Sequence, residues 1–202
     1  SLNALDYKSI NENNKISWKI IKNQLESDIW YATEFKQQVW DASIYNISAY
    51  CDYIINQPYA PLEERLKILS QFIQNSDTYY KVALQNLKQP TKEHLELAIN
   101  QNKGGLEIFG KSLTDSIAAS KLNVDDKNNL QRNIQKTVIA MNSYISGLQK
   151  IAADKNYHFK DFRIGKKLFF EKFKYDLAID FTPEQIYNQA LADKKLWHNK
   201  MF

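Results

Sequence analysis

The chain has 202 residues, 44% of them hydrophobic and 25% charged, which is ordinary globular usage and excludes a disordered chain. Only five glycines and four prolines serve the whole length, too few to punctuate a many-stranded sheet with tight turns, so the class reads as all-α. The formal net charge of +4 is modest and its lysines are scattered among 23 acidic residues, with Arg65, Arg132 and Arg163 the only arginines; a nucleic-acid footprint clusters its charge on one face beside stacking aromatics, so nucleic acid is not an expected partner.

The opening residues, SLNALDYKSINENN, lack the basic start and apolar centre of a signal peptide, and no apolar run reaches the roughly 18 residues of a membrane span. From Asn14 to about Gln38, Trp18, Ile21, Leu25, Ile29, Ala32, Phe35 and Val39 recur at steps of three and four, which predicts one long helix with a single apolar stripe. DASIYNISAYCDYIIN repeats the pattern through Ile44, Ile47, Cys51 and Ile55, with Asp41 or Ser43 as its cap and Pro58 at its end. Cys51 stands alone, so no disulfide forms within the chain, and its apolar row predicts a buried small hydrophobe.

Pro61 suits a first helical turn, and Leu62, Leu66, Leu69 and Phe72 follow at helical spacing. Asn75, Ser76 and Asp77 break and cap before Tyr79, Tyr80, Ala83 and Leu87. Pro90 and Thr91 restart the chain, and Leu95, Ala98, Ile99, Leu106 and Phe109 mark a helix interrupted near Gly104 and Gly105. After a short segment from Ser112 to Ser120, Asp125 and Asp126 sit where negative charge favours a helix start. Leu130, Ile134, Val138, Met141, Ile145, Leu148 and Ile151 then hold one phase in the longest element.

DKNYHFKDFRIG, from Asp154, is the least periodic stretch and predicts a loop into a helix from Ile164 to about Ala178. On that helix Phe169, Phe170, Phe173 and Leu177 take one broad face, Ile164 and Leu168 another, and only Lys167, Glu171 and Lys174 form a polar strip. A helix so apolar is expected to lie buried between partners. Thr182, Pro183 and Gln185 open a final helix that runs to Phe202 with no stop signal. The expected fold is a bundle or array of about eight antiparallel helices without a sheet, one helical domain over 1–202 with a sub-boundary at the 154–163 loop.

Candidate chemistry is sparse. His94, His158 and His198 have no second histidine four positions away, and Glu96 lies about 200° round a helix from His94, so no zincin pair is present. The pairs Glu63–Glu64 and Asp125–Asp126 sit at helix starts, and neighbours diverging by about 100° cannot flank one bond. No serine occupies a nucleophile elbow, and Gly104–Gly105 is too little for a phosphate loop. The residues alone therefore supply no catalytic set and no metal site.

DFRIGKKLFFEKF and DFTPEQIYNQALADKKLWHNKM, with WDASIYNIS and NLKQPTKEHLELAINQNKGGLEIF upstream, resemble the bacterial domain-of-unknown-function family 885 over nearly the whole chain. The matching positions are Phe162, Arg163, Gly165, Thr182, Pro183, Glu184 and Met201. Full-length members resemble gluzincin-type zinc metallopeptidases, whose H-E-x-x-x-G-H type motif follows this region. The resemblance thus implies a non-catalytic N-terminal helical domain that forms a wall of a substrate cleft, with no cofactor in this chain and zinc in the full-length protein. Its implied partners are the C-terminal catalytic domain and a peptide substrate, and its implied location is periplasmic or otherwise extracytoplasmic. Arg163 is the one residue assigned to a site, either as a strut bonding local carbonyls or as a contact to a substrate carboxylate. If the chain is a fragment, Phe169, Phe170, Phe173, Ile186, Leu191, Trp197 and Phe202 should lack partners within it and drive dimerisation. The competing reading is a free-standing helical module that binds a peptide or partner helix in an apolar groove.

Overall fold

A computed structural model describes residue 2 and residues 5–201, and among them the fold is all-α, with helices α1 (Glu12–Trp30), α2 (Ser48–Asn56), α3 (Leu62–Ile73), α4 (Ser76–Asn86), α5 (Lys92–Gly105), α6 (Lys111–Ala119), α7 (Val124–Ala153), α8 (Gly165–Leu177) and α9 (Pro183–Met201). Extended pairing among the described residues is limited to one isolated bridge between Thr91 and Lys160. The chain divides into two compact units, residues 38–162 and residues 1–37 with 163–202.

In the 38–162 unit, α7 is the spine against which α3, α4 and α5 pack. Its 30 residues span about 45 Å at 1.5 Å per residue. Leu130, Met141, Ile145 and Leu148 face the core with Leu66, Leu69 and Ile73 of α3, Tyr80 and Ala83 of α4, and Leu95 and Ala98 of α5. Each fully buried aliphatic side chain there contributes about 1.5–3 kcal/mol relative to exposure. The helix starts follow from local chemistry: Thr91 accepts the His94 N–H, Asn123 accepts the Asp126 N–H, and Pro61 precedes α3. Both acidic pairs fall in first turns, and Glu63 also accepts the Lys121 N–H at 2.8 Å.

The expected helix beginning at Asp41 is instead a 3-10 turn, Ala42–Ile44, with Asp41 accepting the Ser43 N–H, and α2 begins only at Ser48. Tertiary donors hold the intervening carbonyls: the Tyr144 hydroxyl donates to the Ala42 carbonyl at 2.9 Å and the Asn102 amide to that of Tyr45 at 3.2 Å. The shift leaves Ile44 exposed and buries Ile54. On α3 the core position is Ile73, and Phe72 faces solvent.

In the other unit, α1 stops at Trp30, and a π-helical turn, Tyr31–Phe35, ends at Lys36, whose φ of 49° is left-handed. The predicted continuous helix to Gln38 fails here because five α-helical steps would separate Trp30 and Phe35 by about 140°. The wider i→i+5 turn brings them together, stacked with centroids 5.2 Å apart and both buried. Against this end of α1 lies α8: the Trp30 indole N–H donates to Glu171 at 2.8 Å, the Asn23 amide to the Tyr175 carbonyl at 3.0 Å, and the Tyr31 hydroxyl to Asp176 at 2.7 Å. The capping box of α9 forms, with Gln185 N–H to the Thr182 hydroxyl and Thr182 N–H to the Gln185 side chain.

The expectation that α8 is buried needs correction, since neither α8 nor α9 contributes a buried residue. Glu171, on the expected polar strip, accepts the Trp30 indole N–H, and the Tyr175 ring lies 5.5 Å from that of Trp30. Phe202 lies outside the described residues.

Candidate functional site

Arg163 is exposed two residues before Gly165, which starts α8 with φ +80°, a left-handed conformation that favours glycine and accounts for that position in the Phe162-Arg163-Gly165 pattern.

The histidines do not converge on a metal. His94 is held between the Thr91 hydroxyl, 2.6 Å from Nδ1, and the nearly buried Asp41 carboxylate, 3.7 Å from Nε2, with Trp40 edge-on at 5.4 Å. Among the described residues no group of three or more His, Cys, Asp or Glu side chains could hold a metal ion.

The polar cluster around His94 is structural. The Thr91 N–H donates to the Trp40 carbonyl, the Lys160 N–H to the Pro90 carbonyl, and the Lys160 ammonium stands 4.9 Å over the Trp40 ring, so the segments at 40, 90 and 160 are fastened together. The sequence signal for it is WDAS together with PTKEH, where Pro90 and Thr91 mark a restart of the chain but not its long-range partner. Deeper in the same unit the Tyr80 hydroxyl donates to Asn102, the Ser76 and Thr137 hydroxyls lie 2.7 Å apart, and Asn133 bonds Ser70. Burial pushes the Cys51 thiol up to about 12 and raises Tyr80 and Tyr144, so none of them is poised as a nucleophile or base near neutrality.

What the molecule presents to a ligand is apolar surface. In the 38–162 unit, a cleft of about 350 Å³ lies between α4 and α7, floored by Tyr80, Ala140 and Tyr144, with Asp77, Lys81 and Lys136 at its rim. Elsewhere on that unit Phe72, Tyr50, Tyr53 and Tyr59 form a row of rings in successive contact, with centroids 4.8, 6.4 and 5.5 Å apart, each ring exposed.

In the other unit two clefts of about 360 and 340 Å³ flank the α8–α9 link. Ile16, Trp18 and Ile20 of α1 line the first, Phe170, Phe181 and Pro183 the second, and both share Lys174, Ile179 and Asp180. Lys172 bonds Asp176 and stands 5.6 Å over the Tyr31 ring. Its hydrogen bond to Asp176 raises the lysine; for Asp176 burial opposes ionisation, but Lys172 and Tyr31 outweigh it and hold the carboxyl low. This trio clamps α8 and holds no reacting group in a cleft. None of the described helices is long and apolar enough to cross a membrane.

Known proteins share this fold. A solved structure from Shewanella oneidensis, described as "a putative lipoprotein of unknown function", has 33% sequence identity and a TM-score of 0.89 and covers 99% of this chain, while this chain spans 37% of that one. None of the curated proteins matches the chain. The family model for DUF885, described as a bacterial protein of unknown function, matches residues 1–202, and this is the family that the sequence resembles over nearly the whole chain. With a single family accounting for that whole span, the chain belongs to the bacterial family DUF885.

Proposed function

We propose that the chain is the non-catalytic helical N-terminal domain of a longer bacterial zinc metallopeptidase, forming one wall of its substrate cleft. The observation that carries this reading is that a similar solved chain is much longer, this domain spanning 37% of it. The gluzincin-type resemblance puts the zinc motif in the part of the protein beyond this domain. Arg163, exposed at the start of the last two helices, is the residue proposed to meet a substrate carboxylate. The description of the Shewanella protein as a lipoprotein supports an extracytoplasmic location.

The test is the complete reading frame: the expressed product should contain a downstream H-E motif, hold one zinc per chain and hydrolyse unstructured peptides. A complete protein without zinc or peptidase activity would sink the reading. The row of exposed rings from Phe72 to Tyr59 favours a second one, a helical module that binds an extended peptide on aromatic side chains. Peptide binding abolished by Tyr50→Ala and Tyr53→Ala, in a protein without hydrolytic activity, would select it.

A further inference from the structure

We infer that the exposed apolar rows of the unit formed by residues 1–37 and 163–202, one on α9 and one on α1, are seats for the C-terminal part of the same protein. The inference rests on the domain reading above and identifies the surface through which the domain meets the rest of the chain.

Every described residue of α9 from Glu184 onward is exposed, including Trp197 at 60% and Met201 at 77%. At 100° per residue, Ile186, Trp197, Ala190, Met201, Tyr187 and Leu191 fall within an arc of about 140°, with Lys194 and His198 as its polar members. A stripe wider than about 100° is what a helix carries when it faces a core, and a helix wet on all sides has no reason to hold one. In proteins most helical stability comes from packing of an apolar face and not from propensity, so packing of that stripe is what makes α9 stable.

On α1, Ile21, Leu25 and Ile29 form an i, i+4, i+8 ridge, exposed at 49%, 48% and 63%. Such a ridge is the element that seats in the groove of another helix. Single exposed apolar side chains are normal on a monomer, but two helices of one unit each presenting an ordered apolar row exceed that pattern.

The occupant follows from length. The Shewanella chain aligns with this one over 99% of it at a TM-score of 0.89, and this chain spans 37% of that one, so a protein with this fold has most of its length outside it, and the domain reading puts that length on the C-terminal side. A segment joined to the domain seats at high effective concentration without having to win affinity as a separate partner.

Hydrogen exchange of the complete reading-frame product, with its mass in solution measured beside it, tests the assignment. The expected result is a monomer in which α9 amides exchange at least about 100-fold more slowly than in the Leu191→Glu/Trp197→Glu variant of the same protein, while α7 protection is equal in both. Equal protection of α7 shows that the variant folds. Unprotected α9 in the complete protein overturns the inference and leaves the peptidase reading standing. A dimer whose α9 protection is lost on dilution overturns it in favour of a second copy. Protected α9 in a complete protein that holds no zinc supports the interface and sinks only the peptidase reading. A reading frame that stops at residue 202 overturns both.

Discussion

At Gly105 a β-carbon would lie 1.7 Å from the Ser48 hydroxyl and 2.5 Å from the Ser48 β-carbon, whereas one at Gly104 would meet nothing within 4 Å. Neighbouring glycines on one helix are therefore expected to respond in opposite directions. Gly105→Ala should cost about 1–3 kcal/mol through overpacking, and Gly104→Ala should gain about 0.5–1 kcal/mol by removing helix-interior glycine. Urea unfolding of both variants checks this, and equal effects would show that α2 and α5 do not pack as described. Ser48 Oγ is itself buried without a hydrogen-bond partner, so Ser48→Ala should be neutral or stabilising. Cys51 provides a further test at this scale. Its thiol is fully buried and pushed up to about 12, so native protein at pH 8 should react with a disulfide reagent at least about 100-fold more slowly than unfolded protein. Rapid labelling without unfolding would contradict the packing of α2. The burial of Cys51 was legible from its apolar row; the contact at Gly105 was not, since it depends on which residue of a distant helix comes to lie against α5.

Among the elements, the junction of α1 and α8 carries a pH dependence whose sign follows from its charges. Burial, the largest single effect on Asp176, opposes its ionisation, but Lys172 and Tyr31 together hold it below its ordinary value of 3.8, so its contribution is present above pH 3.8 and is lost as pH falls through the folded value. Lys172 is raised above 10.5 by its bond to Asp176, so its contribution is complete below pH 10.5 and disappears as pH rises through the folded value. The α8 amides should thus be best protected between those limits, with protection falling on the acid side before α7 is affected. Asp176→Asn should remove the acid limb; an unchanged acid limb would assign it to other carboxylates. The helix starts marked by Thr91, by Asp125 and Asp126, and by Thr182 were readable because caps and first-turn charges act on backbone groups within the reach of local sequence. The end of α1 was not, because the π turn that closes it is set by stacking of Trp30 on Phe35 and by Glu171 and Tyr175 of α8, more than 100 residues onward. The break between Asp41 and Ser48 has the same origin in Tyr144 and Asn102.

For the whole molecule, the chain of 202 residues studied alone is expected to self-associate through α9, its weight-average mass rising between about 1 and 100 µM, because an uncovered apolar stripe of this width seeks any partner. Leu191→Glu with Trp197→Glu should return it to a monomer at all those concentrations in sedimentation, and association that survives both changes would place the contact elsewhere. The candidate site was legible only in part. Arg163 could be singled out from its place in a family pattern, while the clefts beside Ile179 and the row of rings from Phe72 to Tyr59 exist only where separate helices meet. By itself the sequence determined the all-α class, most helix starts and the apolar positions of α7, since a 3.6-residue period and a cap are properties of neighbours along the chain. It also determined, through long-separated segments read together, the family to which the chain belongs. Only the tertiary structure decided where α1 ends, that Glu171 and not a phenylalanine of α8 meets Trp30, and which stripes remain wet. Hydrophobic period says that a face seeks burial, but what covers it depends on the other elements within reach, and for α9 the described residues supply none.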